Sequence, residues 1–459
     1  MAVIRPFRGI RFDPSKAGSL EKVICPPYDV VDDAERKRLA GLSPHNLIRV
    51  ELPQETPSVP ATDEDYARAG NLLAEWEKSG VLVRDERPAL YPYLQAYVGP
   101  DGKRRERRGF LCCLRVEDYD GGAVRPHEKT LPKPKEDRFK LLQATQTNVS
   151  PVFGLYDDKD GKVAEALAKA FVSPPIAEFT DAKGIEHRVW RFDEGEAQGT
   201  VRAALGQSRV YIADGHHRYE TAIRYRNFRR DAEGTRPALG SAPYDYALAY
   251  LADVRDAGLA VFPIHRLAKL PAGMDAASLR TALERFFTVE EIAAVPTVGD
   301  AGLIAAKLEQ AIGAGKEQPV RNKEKVFALY SAKLSVAWVL RSKETLATFL
   351  QQSGLPKPVA GLDVAALHRA ILEETLKASY ADGTVYFAHD AADAVGYTLP
   401  AKDAKDKAKS EPWDLAILCH ATRVQELLSV VDAGETMPQK STFFYPKPAT
   451  GIVMNRVDE

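Results

Sequence analysis

The stretch VYIADGHHRYETAIRYR, residues 210–226, places two histidines and an arginine directly after a glycine. Two adjacent histidines cannot both face a core, whichever element carries them. Histidine donates to phosphate oxygens or moves a proton near neutral pH, and the planar fork of arginine suits a phosphate group. We therefore predict that His216 and His217 contact a transferring group and that Arg218 binds phosphate. The alternative is a polar turn that hydrogen-bonds only within the protein.

The pattern around this turn predicts a strand that runs into a helix. Apolar residues alternate up to residue 213, and from about residue 217 they recur with helical spacing. Asp214 is a good N-cap residue, and Gly215 can take a positive φ or approach a ligand closely. The free amides of a helix N-terminus attract anions. We therefore predict that Asp214 and Gly215 form a phosphate-binding site in an open cleft, where Arg218 contributes little to packing.

A second stretch, RPHEKTLPKPKEDR at residues 125–138, combines a His-Glu pair with several cations in a proline-stiffened loop before a helix. Charged loops are usually solvated, which is the alternative interpretation. We predict that His127, Lys135 and Arg138 bind phosphate and that Glu128 is a candidate base. The hypothesis requires these side chains to share a cleft with the turn at residue 215.

A third stretch, VICPPYDVV at residues 23–31, presents Asp29 at a rigid bend after two prolines. A carboxylate there can act as a general base or lie beside a metal ion, and the alternative is a turn carboxylate that bonds to its own backbone. We assign no metal-ligating residue, because adjacent histidines rarely bind one ion and the sequence specifies no third ligand. The stretch TMPQKSTFFYPKPATG at residues 436–451 lacks the glycines of a P-loop.

Composition limits the class of protein. The chain has 459 residues, which favours two domains, and we place the boundary near residue 240, giving 1–240 and 241–459. A net charge of -1 argues against duplex DNA and anionic membranes as bulk electrostatic partners. The charged start is unlike a signal peptide, and no apolar run is long enough for a membrane span, so we predict a cytoplasmic protein. The oligomeric state stays open.

Helical and strand patterns alternate along the chain, which favours an α+β architecture. The spacing predicts a helix over 63–79 that stops at Gly80, and a hairpin whose strands flank the turn at 99–107. Residues 229–245 have the composition of a linker, and residues 400–414 that of a solvated charged loop. The four cysteines are too few and too scattered for a disulfide framework, and the adjacent pair reads as a buried strand.

Seven motifs in this order resemble the domain-of-unknown-function family number 1015 over nearly the whole chain: PPYDVV, NLIRVEL, HEKT…PKEDR, NVSPVFGLY, ADGHHRYETA, PIHRL and MPQKSTFFYPK…TG. The family implies no reaction. The turn at Asp214–Arg218 is also similar to the phosphate-binding turn of the ParB/sulfiredoxin superfamily. His216 replaces the reactive cysteine of sulfiredoxin, which excludes sulfinic-acid repair. The Asp-Gly-His start resembles the free-serine kinases most closely.

This second resemblance implies a ParB/sulfiredoxin-like N-terminal domain that binds a nucleotide, with a second α/β domain completing the cleft. The expected reaction is phosphoryl transfer to or from a small hydroxy metabolite such as an amino acid, with Mg²⁺ bridging the phosphates. Asp29 or Glu128 would take the acceptor proton. Two other functions stay open: a phosphatase, in which water replaces the acceptor, and a nucleotide-gated protein that binds a partner.

Overall fold

The computed structural model describes residues 1–99, 101–130, 132–234, 237–296, 298–314, 324–400 and 412–458, with only the backbone at 132 and 133. Most of the charged stretch 400–414 lies outside them. The described chain forms two compact units. Unit 1 contains residues 1–126, 130–260 and 444–459, and unit 2 contains residues 127–129 and 261–443. The predicted domain boundary near residue 240 stays a prediction. The two compact units are divided near residue 260.

The strands, numbered along the chain, are β1 (Ile4–Arg5), β2 (Ile10–Phe12), β3 (Leu82–Arg84), β4 (Tyr91–Val98), β5 (Arg104–Arg115), β6 (Val124–Arg125), β7 (Thr147–Asn148), β8 (Val152–Tyr156), β9 (Ala177–Thr180), β10 (Glu186–Val189), β11 (Val210–Asp214), β12 (Tyr246–Asp253), β13 (Ala260–Phe262), β14 (His265–Ala268), β15 (Phe287–Glu291), β16 (Val326–Ser331), β17 (Val336–Ser342), β18 (Val385–Ala388), β19 (Leu415–Leu418), β20 (Phe443–Tyr445) and β21 (Asn455–Arg456).

The α-helices are α1 (Pro14–Ala17), α2 (Leu20–Val23), α3 (Asp33–Leu42), α4 (Ile48–Glu51), α5 (Asp63–Ser79), α6 (Pro132–Thr145), α7 (Lys162–Ala168), α8 (Gly195–Leu205), α9 (His216–Glu233), α10 (Ala276–Leu283), α11 (Ala301–Ile312), α12 (Glu344–Gln352), α13 (Lys357–Ala360), α14 (Asp363–Ala366), α15 (Ala391–Gly396) and α16 (Val424–Asp432). Short 3₁₀ helices cover Tyr28–Val30, Ala170–Val172 and Pro243–Asp245, and a π-helix covers Leu367–Thr375.

Unit 1 is built on a mixed nine-stranded sheet in the order β6-β11-β8-β12-β5-β4-β10-β9, with β1 paired to β5. The pairs β11–β6 and β12–β8 are parallel, and the other pairs are antiparallel. Apolar side chains of α7 and α8 pack with the sheet in one core. Since β11 lies next to the edge strand β6, its carboxyl end can lead into α9 without crossing the sheet.

The C-terminal segment of the chain returns to unit 1. Strand β21 pairs with β7, and isolated bridges join Thr450 to Cys25 and Met454 to Ile10. These backbone contacts hold residues 444–458 beside the N-terminal bend at residues 28–30. Residues that are distant in sequence therefore lie together in this unit.

Unit 2 is built on an antiparallel six-stranded sheet in the order β15-β17-β16-β19-β14-β18. Successive side chains of a strand point to opposite faces, so neighbouring residues join different cores. Phe327 and Leu329 belong to one buried cluster, whereas Ala328 and Tyr330 belong to another. Helices α10 and α12 and the π-helix contribute to the first core, and α11 and α15 contribute to the second.

The α+β class predicted from the pattern is confirmed. The helix α5 ends at Gly80, which takes the left-handed conformation, and β4 and β5 form the predicted hairpin. All four cysteines are buried, and none of them forms a disulfide. The prediction that a linker begins at Arg229 is wrong, because helix α9 continues to Glu233. Within this helix, Arg229 forms an ion pair with Glu233, one turn further along the chain.

Candidate functional site

The turn at Gly215 joins a strand to a long helix. Strand β11 ends at Asp214, and the 18-residue helix α9 begins at His216. Gly215 lies between them with φ 86° and ψ 29°, the left-handed conformation that glycine adopts without a steric penalty. A Cβ at this position would lie 2.9 Å from Nε of Arg218. The predicted strand, glycine turn and helix are therefore confirmed, and the turn requires glycine.

Gly215, not Asp214, occupies the N-cap position of α9, so that prediction is wrong. One carboxylate oxygen of Asp214 lies 2.6 Å from Nζ of Lys447, and the other accepts from Nη2 of Arg218 at 2.5 Å. Charged donors hold a carboxylate more strongly than a neutral backbone amide does. Asp214 therefore bridges two cations at the start of the helix.

Lys447 is the residue of this cluster that the sequence analysis missed. Its side chain is 12% exposed and contacts the carboxylates of both Asp29 and Asp214. Burial by itself lowers the pKa of the ammonium group, but the two carboxylates outweigh it and raise that pKa above its ordinary value. Lys447 lies in the last of the seven family motifs, MPQKSTFFYPK…TG. This motif was the sequence signal that could have identified Lys447 as a candidate site residue.

Asp29 lies at the predicted bend, in the 3₁₀ helix Tyr28–Val30. Its carboxylate is tied to Lys447 and through it to Asp214. The order of charges is therefore Asp29, Lys447, Asp214 and Arg218, alternating in sign. We name these four residues the charge chain.

Arg218 is held by the protein on three sides. Its Nη1 donates to Oγ of Ser150 at 2.7 Å and to the carbonyl of Pro151, and its Nη2 donates to Asp214. The side chain is 9% exposed. The expectation that it contributes little to packing is wrong, because its fork is largely buried among protein acceptors. Its phosphate-binding role stays a prediction.

A cleft borders the charge chain on the side of Arg218. It encloses about 390 Å³, including its open mouth, and the lining residues are Glu51, Arg138, Leu141, Leu142, Thr147, Asn148, Val149, Ser150, Arg218 and Thr221. The predicted residue Arg138 lies in this cleft, but its guanidinium is occupied. Nε and Nη2 donate to Asp137 at 2.8 and 2.6 Å, and Nη1 donates to the carbonyl of Glu51 at 2.9 Å.

Glu51 is a second residue that the sequence analysis missed. It is 1% exposed and lines the cleft. Burial raises the pKa of its carboxyl group, although Arg138 and Arg218 act in the opposite direction. Glu51 ends the short helix α4 and is the acidic residue of the family motif NLIRVEL. Its place in this motif was the sequence signal that could have identified it as a candidate site residue.

The histidines of the turn begin helix α9. His216 is 8% exposed, whereas His217 is half-buried. Lys135 lies in helix α6 of unit 1, and its ammonium group pairs with Glu220 of α9 at 2.9 Å. The roles predicted for these three residues stay predictions.

His127 and Glu128 belong to unit 2, whereas the charge chain lies in unit 1. Nε2 of His127 lies 2.8 Å from Oγ1 of Thr442, and Glu128 forms a backbone bridge with Met437. The predicted convergence of these two residues with the turn at Gly215 stays a prediction.

Neither a metal-binding cluster nor a membrane-crossing helix is found among the described residues. Among them, no group of three or more His, Cys, Asp and Glu side chains is arranged to hold a metal ion. No described helix combines the length and the apolar character that crossing a bilayer requires.

Comparisons with known proteins give weak structural matches and one family. No protein of curated function matches the chain. A free serine kinase mutant in complex with ADP is 11% identical, with a TM-score of 0.30, over 70% of this chain and 84% of that chain. A C-terminally truncated SbnI from Staphylococcus aureus is 11% identical, with a TM-score of 0.31, over 74% and 85%. A conserved hypothetical protein from Pyrococcus furiosus is 13% identical, with a TM-score of 0.28, over 70% and 87%.

Scores this low support no conclusion about ligand or activity. The family model is different, since it matches residues 4–365, more than half of the chain. Its description is "Protein of unknown function (DUF1015)", and the chain belongs to this family.

Proposed function

We propose that this protein is a cytoplasmic phosphotransferase that holds the phosphates of a nucleotide at the Gly215 turn. It would transfer a phosphoryl group to the hydroxyl of a small metabolite. One observation carries the proposal: the charge chain Asp29–Lys447–Asp214–Arg218 lies at the N-terminus of α9. The motif likeness to the free-serine kinases supports the choice of a nucleotide.

The arrangement suits the charge distribution of phosphoryl transfer. In this reaction charge spreads over the oxygens of the transferred group, and catalysis depends on positioning and electrostatic stabilisation. The N-terminus of α9 supplies backbone donors and the positive end of the helix dipole. Lys447 stays protonated near neutral pH because its carboxylate partners raise its pKa. Phosphate oxygens would therefore meet two fixed cations and a helix N-terminus.

The carboxylates of the charge chain fit a nucleotide-bound magnesium ion. Mg²⁺ usually takes one or two protein carboxylates and completes its shell with phosphates and water. Asp29 and Asp214 could each supply one such oxygen. The ion would neutralise charge on the phosphates. Asp29 would take the acceptor proton, and His216 and His217 would contact the transferring group.

Calorimetric titration with ATP and ADP, with and without Mg²⁺, tests the nucleotide site. We expect Arg218→Lys to weaken nucleotide binding and Arg218→Ala to weaken it about tenfold to a hundredfold, since each loses charge-assisted hydrogen bonds. Transfer of the terminal phosphate from labelled ATP distinguishes the functions. Release to water alone would indicate a hydrolase, and binding with slow hydrolysis would indicate a nucleotide-gated switch.

Arg226→Ala is the matched control. Arg226 is buried on the same helix and binds the carbonyl of Val116 and the carboxylate of Asp118. Its loss should lower stability, as the loss of Arg218 does, but leave nucleotide affinity unchanged. Equal losses of affinity in both variants would trace the effect to unfolding, and a wild-type chain that binds no nucleotide would overturn the proposal.

A further inference from the structure

The cleft beside the charge chain contains polar atoms that the protein leaves without partners. Oγ1 of Thr221 and Nε of Arg218 are buried, and neither has a hydrogen-bond partner among the described residues. Thr221 is 3% exposed, so water cannot reach its hydroxyl freely. Buried polar groups are almost always paired, and an exception calls for an explanation. Both side chains line the same cleft, which points to a ligand.

Glu51 adds a buried carboxylate that shares its nearest cation, Arg138, with a second acid, Asp137. Its Oε1 accepts a long hydrogen bond from the amide of Tyr28 at 3.3 Å. Its Oε2 forms a long ion pair with Nη1 of Arg138 at 3.5 Å. The other two nitrogens of Arg138 are bound to Asp137. Arg138 therefore lies between two carboxylates, and one guanidinium with two carboxylates leaves this cluster with a net negative charge.

Arg218 also attracts the carboxylate of Glu51, but its Nη2 is paired with Asp214. A buried cluster with more carboxylates than cations favours a proton or a cationic ligand. Burial accordingly raises the pKa of Glu51. The cleft thus presents an acceptor at Glu51 and hydrogen-bonding groups at Thr221 and Arg218.

We propose that this cleft binds a small hydroxylated amine, with its ammonium group against Glu51 and its hydroxyl against Thr221 and Nε of Arg218. Residues 218 and 221 are one turn apart, so they present one face of α9 to the ligand. Arg218 belongs both to the cleft and to the charge chain. The hydroxyl is therefore directed towards the proposed phosphate site.

The identification of this amine as the acceptor rests on the proposed function. The hydroxyl oxygen would form a bond to the terminal phosphorus of a nucleoside triphosphate, while the bond to the nucleoside diphosphate oxygen breaks. The hydroxyl proton would pass to Asp29. The amine-binding site itself requires no nucleotide and is tested without one.

Titration of the full chain with two matched pairs of compounds tests the site. Ethanolamine is compared with ethylene glycol, and L-serine with glycerate, so that each pair differs by an amine in place of a hydroxyl. We expect the amines to bind at least about tenfold more tightly, as a hydrogen-bonded charge contact at Glu51 requires. Equal affinities within each pair, or no binding of any of the four, would overturn the proposal.

Three variants locate the effect. Glu51→Gln should abolish the preference for amines, because the amide keeps the shape but loses the charge. Thr221→Val should weaken both members of each pair by about three- to tenfold, through loss of the hydroxyl. Glu35→Gln removes a half-buried carboxylate of α3, which is paired with Arg38, and should leave the binding of all four compounds unchanged. Unchanged amine binding in Glu51→Gln would contradict the site, and Thr221→Val keeps the test decisive if Glu51→Gln does not fold.

The two proposals fail separately. Amine-selective binding by a chain that binds no nucleotide would overturn the proposed function and keep the cleft as an amine site. Phosphoryl transfer that shows no preference for amines would keep the function and overturn the assignment of the cleft.

Discussion

At the scale of single residues, the position of Lys447 distinguishes this site most clearly from an ordinary polar turn. A buried ammonium group between two carboxylates is stable only while all three charges are present. Removing one member of a buried ion pair leaves an uncompensated charge, which costs about 3–5 kcal/mol. The stability of unit 1 and the geometry of the turn therefore depend on the same side chain.

We expect Lys447→Met to lower the free energy of unfolding by roughly that amount near neutral pH. The folded pKa of Lys447 is raised above its ordinary value of 10.5. Its contribution is therefore fully present below pH 10.5 and is lost as pH rises through the folded pKa. Urea denaturation of both proteins from neutral to alkaline pH measures the difference, which should shrink as pH rises through the folded pKa of Lys447.

Lys37→Met is the control for this prediction. Lys37 is exposed on α3, and an exposed lysine away from such a cluster should change stability by less than about 0.5 kcal/mol. A loss in Lys447→Met no larger than in Lys37→Met would show that the contacts of Lys447 with Asp29 and Asp214 do not stabilise the fold.

At the scale of elements, the turn between β11 and α9 depends on glycine for two reasons. The positive φ penalises any residue with a Cβ, and the Cβ would press against the guanidinium of Arg218. Gly234, which ends the same helix with φ 63°, has a positive φ but open space around it. The two glycines therefore separate backbone strain from crowding at the site.

We expect Gly234→Ala to cost about 1–2 kcal/mol, the penalty of the left-handed conformation. Gly215→Ala should cost more, because Arg218 must also move. Only Gly215→Ala should reduce the affinity for nucleotide. Thermal unfolding and titration of both variants measure these differences, and equal effects on stability and binding would show that Arg218 does not depend on the turn.

At the scale of the whole molecule, each unit has its own buried core. Leu251 belongs to the core of unit 1, and Leu329 belongs to one of the two cores of unit 2; both are fully buried. The chain passes between the units near residues 127–129, 260 and 443. Units with separate cores are expected to open separately.

We expect Leu329→Ala to destabilise unit 2 by about 2–5 kcal/mol through the cavity it leaves. Hydrogen exchange should accelerate in β16 and β17 and stay unchanged in β11 and β12. Leu251→Ala should give the reverse pattern. Uniform acceleration over both sheets in either variant would show that the two units unfold as one.

The sequence by itself determined the local features of this protein. The strand, the glycine turn and the helix around residue 215 follow from apolar periodicity and from the conformational freedom of glycine, which act over a few residues. The helix over 63–79, the hairpin and the α+β class follow from the same kind of pattern. The seven motifs also indicated the family to which the chain belongs, and the first six of them lie within the residues that the family model matches.

Only the tertiary structure decided which charges meet. Lys447 reaches Asp214 because β21 and two bridges return the C-terminal segment to unit 1, and no local pattern encodes that return. The burial of Glu51, the pairing of Arg218 with Asp214, and the membership of His127 in unit 2 depend likewise on long-range packing. Periodicity specifies which face of an element is apolar, whereas the partner of a buried charge is fixed only when distant segments close around it.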